Sequence, residues 1–249
     1  MLPGLCSDAE LGEIVAYFRN APVILSDGSL VSLDTVPTGT TIVPYRMSTV
    51  LACPGLLALV NHPTVLSVAA GYLGCMPTLS SLGVRWSLPG VESTSPVQRF
   101  HRDPDDWRFL KTFIYLTDVD DGSGPHVYVR GSHRRSGRIR ARPYDRASIA
   151  RDYGEDSIDE VLGSRGTAFM ADTFGIHAGP VPKSRPRLLL QAQYSLLPVY
   201  AFEYSPIEWD APDDLDPYVN RLLIRKRRSH PQAASSEPAR AEAPAAYLK

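Results

Sequence analysis

Cysteine is scarce in this chain. There are three, Cys6, Cys53 and Cys75, an odd number at spacings that match neither a zinc site nor a redox motif. A disulfide framework is not expected, and the three read as reduced thiols, buried or incidental, in a cytoplasmic protein. Net charge is nearly absent as well. The 26 Lys and Arg against 27 Asp and Glu leave −1, which argues against a protein built to grip nucleic acid along its length. An uninterrupted apolar run is also missing. The most apolar region, 51–76, is broken by Asn61, His62 and Pro63, too interrupted to span a bilayer. The opening MLPGLCSDAE has neither a basic segment nor a long apolar one, so no signal peptide is expected. Neither a membrane nor a nucleic acid is expected as a partner.

What is present is an ordinary globular composition, 43% hydrophobic and 21% charged over 249 residues. That is ample chain for a core, and all-β domains often reach this size as one unit. Residues 7–19 predict a helix: Ser7 and Glu10 form a capping-box pattern, with Leu11, Ile14, Val15 and Phe18 on one face. SDGSLVSLDTVP is turn-rich. LLALVNH and TVLSVAAGYLG are helical runs, Pro63 suiting a start and Gly74 a stop. From residue 78 the period changes to that of strands: TLSSLGVRWSL, KTFIYLTDV, HVYVRGS, TAFMADT and RLLLQAQYSL, each bounded by turn residues. An insertion at 132–165 predicts a helix over 146–153 and a short one over 158–162. Short strands with long connections point to a sandwich or jelly roll, not to βαβ units. One domain is expected over 1–227, with a helical part at 1–77 and a β core at 78–200. The segment 228–249, poor in large apolar residues, is expected to be disordered.

The stretch QRFHRDPDDWRF carries the chemistry. In an extended strand, residues two apart point the same way, so His101 and Asp103 can supply two ligands to one metal ion. Two histidines and one carboxylate on one face of Fe(II) leave three positions open for a cosubstrate and dioxygen. The third ligand has to come from elsewhere. Of the six histidines, His62 falls at a helix junction, His133 in a Gly-Ser turn and His230 in the tail, which leaves His126 and His177. Arg187, ten positions after His177, can grip a distal carboxylate at two points. Along that strand Arg187, Leu189, Gln191 and Gln193 share one face and Leu188, Leu190, Ala192 and Tyr194 the other.

HRD, YLTDV, SGPHVYVRGSH, ADTFGIHAG and PRLLLQ occur in an order, over roughly 78–197, that resembles the phytanoyl-CoA dioxygenase family. The resemblance implies a mainly β fold with flanking helices, a double-stranded β-helix of jelly-roll, cupin-like form. It implies Fe(II) held by His101, Asp103 and His177, and 2-oxoglutarate held by Arg187, with Arg185 the rival. The implied activity is that of a dioxygenase, which consumes O2 and converts 2-oxoglutarate to succinate and carbon dioxide while hydroxylating a small-molecule substrate. Desaturation or ring closure are allied outcomes. Related halogenases lack the carboxylate that Asp103 provides. The chain departs from the family pattern at Phe100, where Trp is common, and at Arg130, where proline is usual before Gly-Ser-His. Both flank the mouth of the implied site.

Other residues keep two readings. Lys111 is a further cosubstrate-binding candidate if it faces inward with Phe113 and Tyr115, and an exposed strand start otherwise. His126 reaches the pocket or is structural, and Trp86 and Trp107 are substrate walls or packing. The run from Arg130 to Arg146 carries seven arginines. It is either a clamp for an anionic or carrier-linked substrate or a solvated loop balanced by DYGEDSIDE. Two other classes of function compete: a cupin-like metal isomerase or lyase, for which Arg187 would have no use, and a non-catalytic binding module, for which an intact ligand triad would have none.

Overall fold

The computed structural model describes residues 1–91, 96–134, 143–210 and 215–227. The predicted tail, His230 and Arg135, Arg138, Arg140 and Arg142 lie outside the described residues. In chain order the elements begin with α1 (Asp8–Asn20), β1 (Val23–Ile24), β2 (Leu30–Val31), β3 (Ile42–Pro44), α2 (Met47–Leu51), α3 (Leu56–Val60), α4 (Pro63–Leu73) and β4 (Thr78–Ser87). They continue with β5 (Phe109–Tyr115), β6 (His126–Val129), α5 (Arg146–Tyr153), β7 (Ile158–Val161), β8 (Ala168–Ala171), β9 (His177–Ala178) and β10 (Arg187–Ser195). β11 (Ile207–Trp209), α6 (Pro217–Asn220) and β12 (Ile224–Lys226) close the series.

Local chemistry sets the helix ends. The Ser7 hydroxyl accepts from the Glu10 amide while the Glu10 carboxylate accepts from the Ser7 amide at 2.8 Å, which satisfies two otherwise orphaned donors. His62 Nδ1 accepts from the Thr64 amide at the head of α4, and Gly74, at φ 80°, ends it, a conformation that glycine adopts without a Cβ penalty. The stretch Leu56–Leu73 has a mean hydropathy of 1.4, enough by length and composition for a membrane span. Here it forms two helices, α3 and α4, separated at Asn61 and His62, with Leu56, Val60, Val65 and Ala69 buried in the core.

A five-stranded antiparallel sheet runs in the order β3-β4-β10-β5-β8, and a three-stranded one in the order β7-β6-β9. Cross-strand partners share a face, so the register sorts the large sheet into two surfaces. Leu82, Val84 and Trp86 of β4, Ile114 of β5 and Leu188, Leu190, Ala192 and Tyr194 of β10 belong to the main core with α1 to α4. The other surface carries Arg187, Leu189, Gln191 and Gln193, with Arg85 and Tyr115 opposite Leu189, Phe113 opposite Gln191, and Ser81 and Lys111 opposite Gln193. The small sheet closes over this second surface: the His126 ring packs 4.6 Å from that of Phe113 and 5.4 Å from that of Phe169. The result is a mainly β jelly roll with flanking helices, as the resemblance implied. The alternation expected along β10 is the alternation found.

One expected element is different. Residues 158–162 do not form a helix: Ile158–Val161 is strand β7, paired residue by residue with β6 from Val129 to His126. The spacing of Ile158, Val161 and Leu162 is that of a helix, and pairing with the edge of β6 overrides it. The helix expected over 146–153 is α5, capped by the Asp145 carboxylate on the Ser148 amide at 2.8 Å. Among the cysteines, Cys53 is buried and Cys75 exposed, and all three are free.

Candidate active site

His101 lies just outside the regular strands, but it bridges β9. Its amide donates to the His177 carbonyl at 2.9 Å, and the His177 amide donates back at 3.0 Å. The Asp103 amide donates to the Thr173 carbonyl at 2.9 Å. This short ladder turns His101 and Asp103 to one side and sends Arg102 to the other. There the buried guanidinium donates to the Ser132 and Phe174 carbonyls at 2.9 and 2.6 Å, and to the Tyr144 and Tyr153 hydroxyls at 3.2 and 3.1 Å. Arg102 thus ties the loop that carries the histidine and aspartate to the insertion.

The side chains of His101, Asp103 and His177 converge. Their candidate ligand atoms lie within 4.8 Å of one another. His101 Nε2 is 3.4 Å from Asp103 Oδ1 and His177 Nε2 is 3.4 Å from Asp103 Oδ2. Ligands at right angles, each about 2.1 Å from a metal, stand about 3 Å apart, so the set needs little adjustment to hold an ion. The proton positions also fit. Each Nδ1 faces a carbonyl two residues earlier, Arg99 at 2.7 Å for His101 and Gly175 at 3.0 Å for His177. A carbonyl only accepts, so Nδ1 carries the hydrogen and the Nε2 lone pair is left for a metal. Burial lowers the pKa of His177 against the pull of Asp103, which favours the neutral, ligating form. For Asp103, burial pushes upward, but Lys111 and His177 outweigh it and hold the carboxyl well below the usual range.

Lys111 faces inward. Its Nζ is 2.6 Å from Asp103 Oδ2 and 3.2 Å from Asp105 Oδ2, so it braces the outer oxygen of one candidate ligand against a second carboxylate. Sequence reasoning passed over Asp105, whose only signal was its place two residues beyond Asp103 on the same alternating side.

Arg187 is 2% exposed, and burial pushes its pKa down to about 10, still a cation at neutral pH. Nη2 donates to Ser87 Oγ at 3.3 Å, while Nε and Nη1 have no hydrogen-bond partner. No carboxylate pairs with it among the described residues. A buried guanidinium in this state suits an anionic ligand. Arg185, the rival, is at the surface with Asp120 Oδ2 at 2.9 Å. His126 is buried against His177, its ring 5.6 Å away. Trp86 belongs to the core and donates to the Tyr45 hydroxyl at 2.8 Å, whereas Trp107 is 96% exposed. Of the seven arginines, Arg130 pairs with Asp159 at 3.0 Å and Arg146 pairs with Glu155, so these two are balanced by neighbouring acids.

No family model matches the chain, and no curated protein sequence does. Solved structures do. HygX from Streptomyces hygroscopicus, with nickel, 2-oxoglutarate and hygromycin B bound, is similar with a TM-score of 0.54 at 14% identity, over 88% of this chain and 90% of that one. EctD from S. alaskensis, with 2-oxoglutarate and 5-hydroxyectoine, is similar with a TM-score of 0.56 at 19% identity, over 90% and 80%. SnoK, a non-heme alpha-ketoglutarate-dependent carbocyclase from nogalamycin biosynthesis, has a TM-score of 0.53 at 18% identity, over 78% and 77%. At these identities the likeness establishes the fold, which this chain shares with iron- and 2-oxoglutarate-dependent enzymes.

Proposed function

We propose that the chain is a non-haem Fe(II)- and 2-oxoglutarate-dependent dioxygenase, of the phytanoyl-CoA dioxygenase type, that hydroxylates or otherwise oxidises a small-molecule metabolite. One observation carries this reading. Two histidines with free Nε2 lone pairs and an ionised aspartate meet on the interior of a jelly roll whose wall also holds an arginine with two unpartnered guanidinium nitrogens. The ligand sets named for HygX and EctD support it, and the activity named for SnoK supports keeping ring closure beside hydroxylation.

In this reading His101, Asp103 and His177 would hold the metal. When bound, Fe(II) and 2-oxoglutarate supply the capacity to activate dioxygen and oxidise a C–H bond, the cosubstrate leaving as succinate and carbon dioxide. The protein binds, orients and shields. Arg187 would hold the distal carboxylate of the 2-oxo acid. Lys111 keeps the second oxygen of Asp103 occupied, which favours binding of the metal through the first. Phe113, Phe169 and Leu189 form a buried apolar cluster on the same interior, which keeps bulk water from the cosubstrate.

The test is an anaerobic titration of the metal-free protein with Fe(II) and then 2-oxoglutarate, followed by visible absorption. A metal-to-ligand charge-transfer band is expected in the wild type and is expected to be lost in His177→Ala and Arg187→Ala. A wild type that binds Fe(II) without developing the band would overturn the oxygenase reading.

A further inference from the structure

One polar group on the barrel interior has no use in the scheme above. His126 opens β6 and is 4% exposed. Its ring sits in a box made by Phe113, Phe169 and His177, stacked on the last with planes 24° apart. Its amide donates to the Tyr115 hydroxyl at 3.0 Å. Its Nε2, however, is buried with no hydrogen-bond partner. A buried polar atom left unmet is unfavourable, and a phenylalanine would fill an aromatic box with no such cost.

The register shows where this imidazole stands. β6 runs antiparallel to β9 with Val127 opposite Ala178 and Tyr128 opposite His177. The next step of the same register sets His126 against Gly179. A Cβ on Gly179 would lie 3.6 Å from Arg187 Nη2. His126 therefore shares a corner of the barrel with the guanidinium whose Nε and Nη1 are also without partners. A neutral imidazole buried beside Arg187 offers a donor there and not a second cation.

We propose that His126 and Arg187 form a single carboxylate cradle, in which the imidazole Nε2–H and one edge of the Arg187 guanidinium together take the distal carboxylate of the 2-oxo diacid. The proposal rests on the cosubstrate reading above. A carboxylate has about four lone-pair sites, enough for three donors. The carboxylate offsets the buried charge of Arg187, which would otherwise lie unpaired in a low-dielectric place.

The experiment measures 2-oxoglutarate affinity anaerobically on the Fe(II)-loaded protein, with Fe(II) affinity measured separately. His126→Phe keeps the ring in its box and removes the donor; His126→Asn keeps an N–H. The expected result is a loss of about tenfold in 2-oxoglutarate affinity for the Phe variant, the scale of one hydrogen bond to a charged group. A smaller loss is expected for Asn, with Fe(II) affinity within about twofold of wild type in both. Binding of 2-oxopentanoate, which has the same chain without the distal carboxylate, is expected to be alike in wild type and the Phe variant. Wild-type 2-oxoglutarate affinity in His126→Phe, or a parallel loss of Fe(II) affinity that traces the effect to His177 packing, would overturn the cradle and leave the oxygenase reading standing. A wild type that binds Fe(II) but no 2-oxoglutarate would overturn both.

Discussion

Lys111 Nζ lies 2.6 Å from Asp103 Oδ2, closer to that carboxylate than either histidine ring nitrogen at 3.4 Å. The contact joins the start of β5 to a loop residue eight positions earlier, and it helps to keep the one anionic ligand ionised. Burial alone would push the Asp103 carboxyl upward; Lys111 leads the charges that reverse this. Replacing Lys111 with Met should lower metal affinity by roughly 10- to 100-fold, the range for loss of a group that orients a ligand. The sign with pH follows. Asp103 is held below its ordinary pKa, so it stays ionised as pH falls until that lowered value is reached. Without Lys111 the proton competes at higher pH, and the deficit should widen between pH 7.5 and 6. Calorimetric titration with Ni(II), which is inert to oxygen, reads both effects. Equal affinities at both pH values in wild type and variant would remove Lys111 from this role.

Arg102 makes a second prediction, about stability. It sits between the two ligands in sequence yet points away from them, and it donates to two carbonyls and two hydroxyls from three separate segments. Arg102→Met keeps much of the apolar stem and leaves those acceptors unmet in a buried place. A loss of about 3 kcal/mol is expected, which for a chain of this size is roughly 6–12 °C in Tm. Faster amide exchange is expected over 144–157, where Tyr144 and Tyr153 lose their anchor. Exchange that quickens evenly across the whole chain would mean that Arg102 does not specifically hold the insertion.

Two glycines beside the ligands should behave differently. A Cβ at Gly175 would meet the Tyr128 hydroxyl at 2.3 Å and Ser132 Oγ at 3.0 Å, and the Gly175 carbonyl fixes the His177 ring. Gly175→Ala should therefore destabilise the fold by about 1–3 kcal/mol and weaken metal binding with it. At Gly179 the nearest atoms stand at 3.5 and 3.6 Å, an ordinary contact. Gly179→Ala should fold normally, bind metal normally and lose affinity for 2-oxoglutarate, because its methyl intrudes beside Arg187. Thermal unfolding with parallel metal and cosubstrate titrations separates the two; a similar Tm loss in both variants would contradict the difference.

How far these features were legible in the sequence depends on the kind of contact. Alternation along β10 assigned Arg187 and Gln193 to one face and Leu188 and Tyr194 to the other, because a pleated strand has no other way to place them. The two-residue step from His101 to Asp103 was readable for the same reason. The bridge from His101 to His177 was not, since period says where a side chain points but not which distant strand lies opposite. Resemblance supplied that link. β7 differs from the helix that its spacing predicts because pairing with the edge of β6 overrides a helical pattern of only a few residues. The aromatic box around His126 depends on how the two sheets close, for which neither composition nor spacing holds a signal.

Metal binding should also be visible as stability, and this prediction tests the triad without any cosubstrate. A ligand present at 100 times its Kd and bound only by the folded state stabilises it by about 2.7 kcal/mol. For a chain of about 250 residues that corresponds to roughly 5–11 °C in Tm. Saturating Ni(II) should produce such a shift in the wild type, and a chelator should reverse it. His101→Ala, Asp103→Ala and His177→Ala should each lose most of it, because two remaining ligands from a set that converges within 4.8 Å give up both an electron pair and the facial geometry. His133→Ala is the control: its Nδ1 faces the Tyr128 hydroxyl at 3.2 Å, outside the triad, and it should keep the full shift. A shift that survives in His177→Ala and disappears in His133→Ala would move the metal to another part of the molecule.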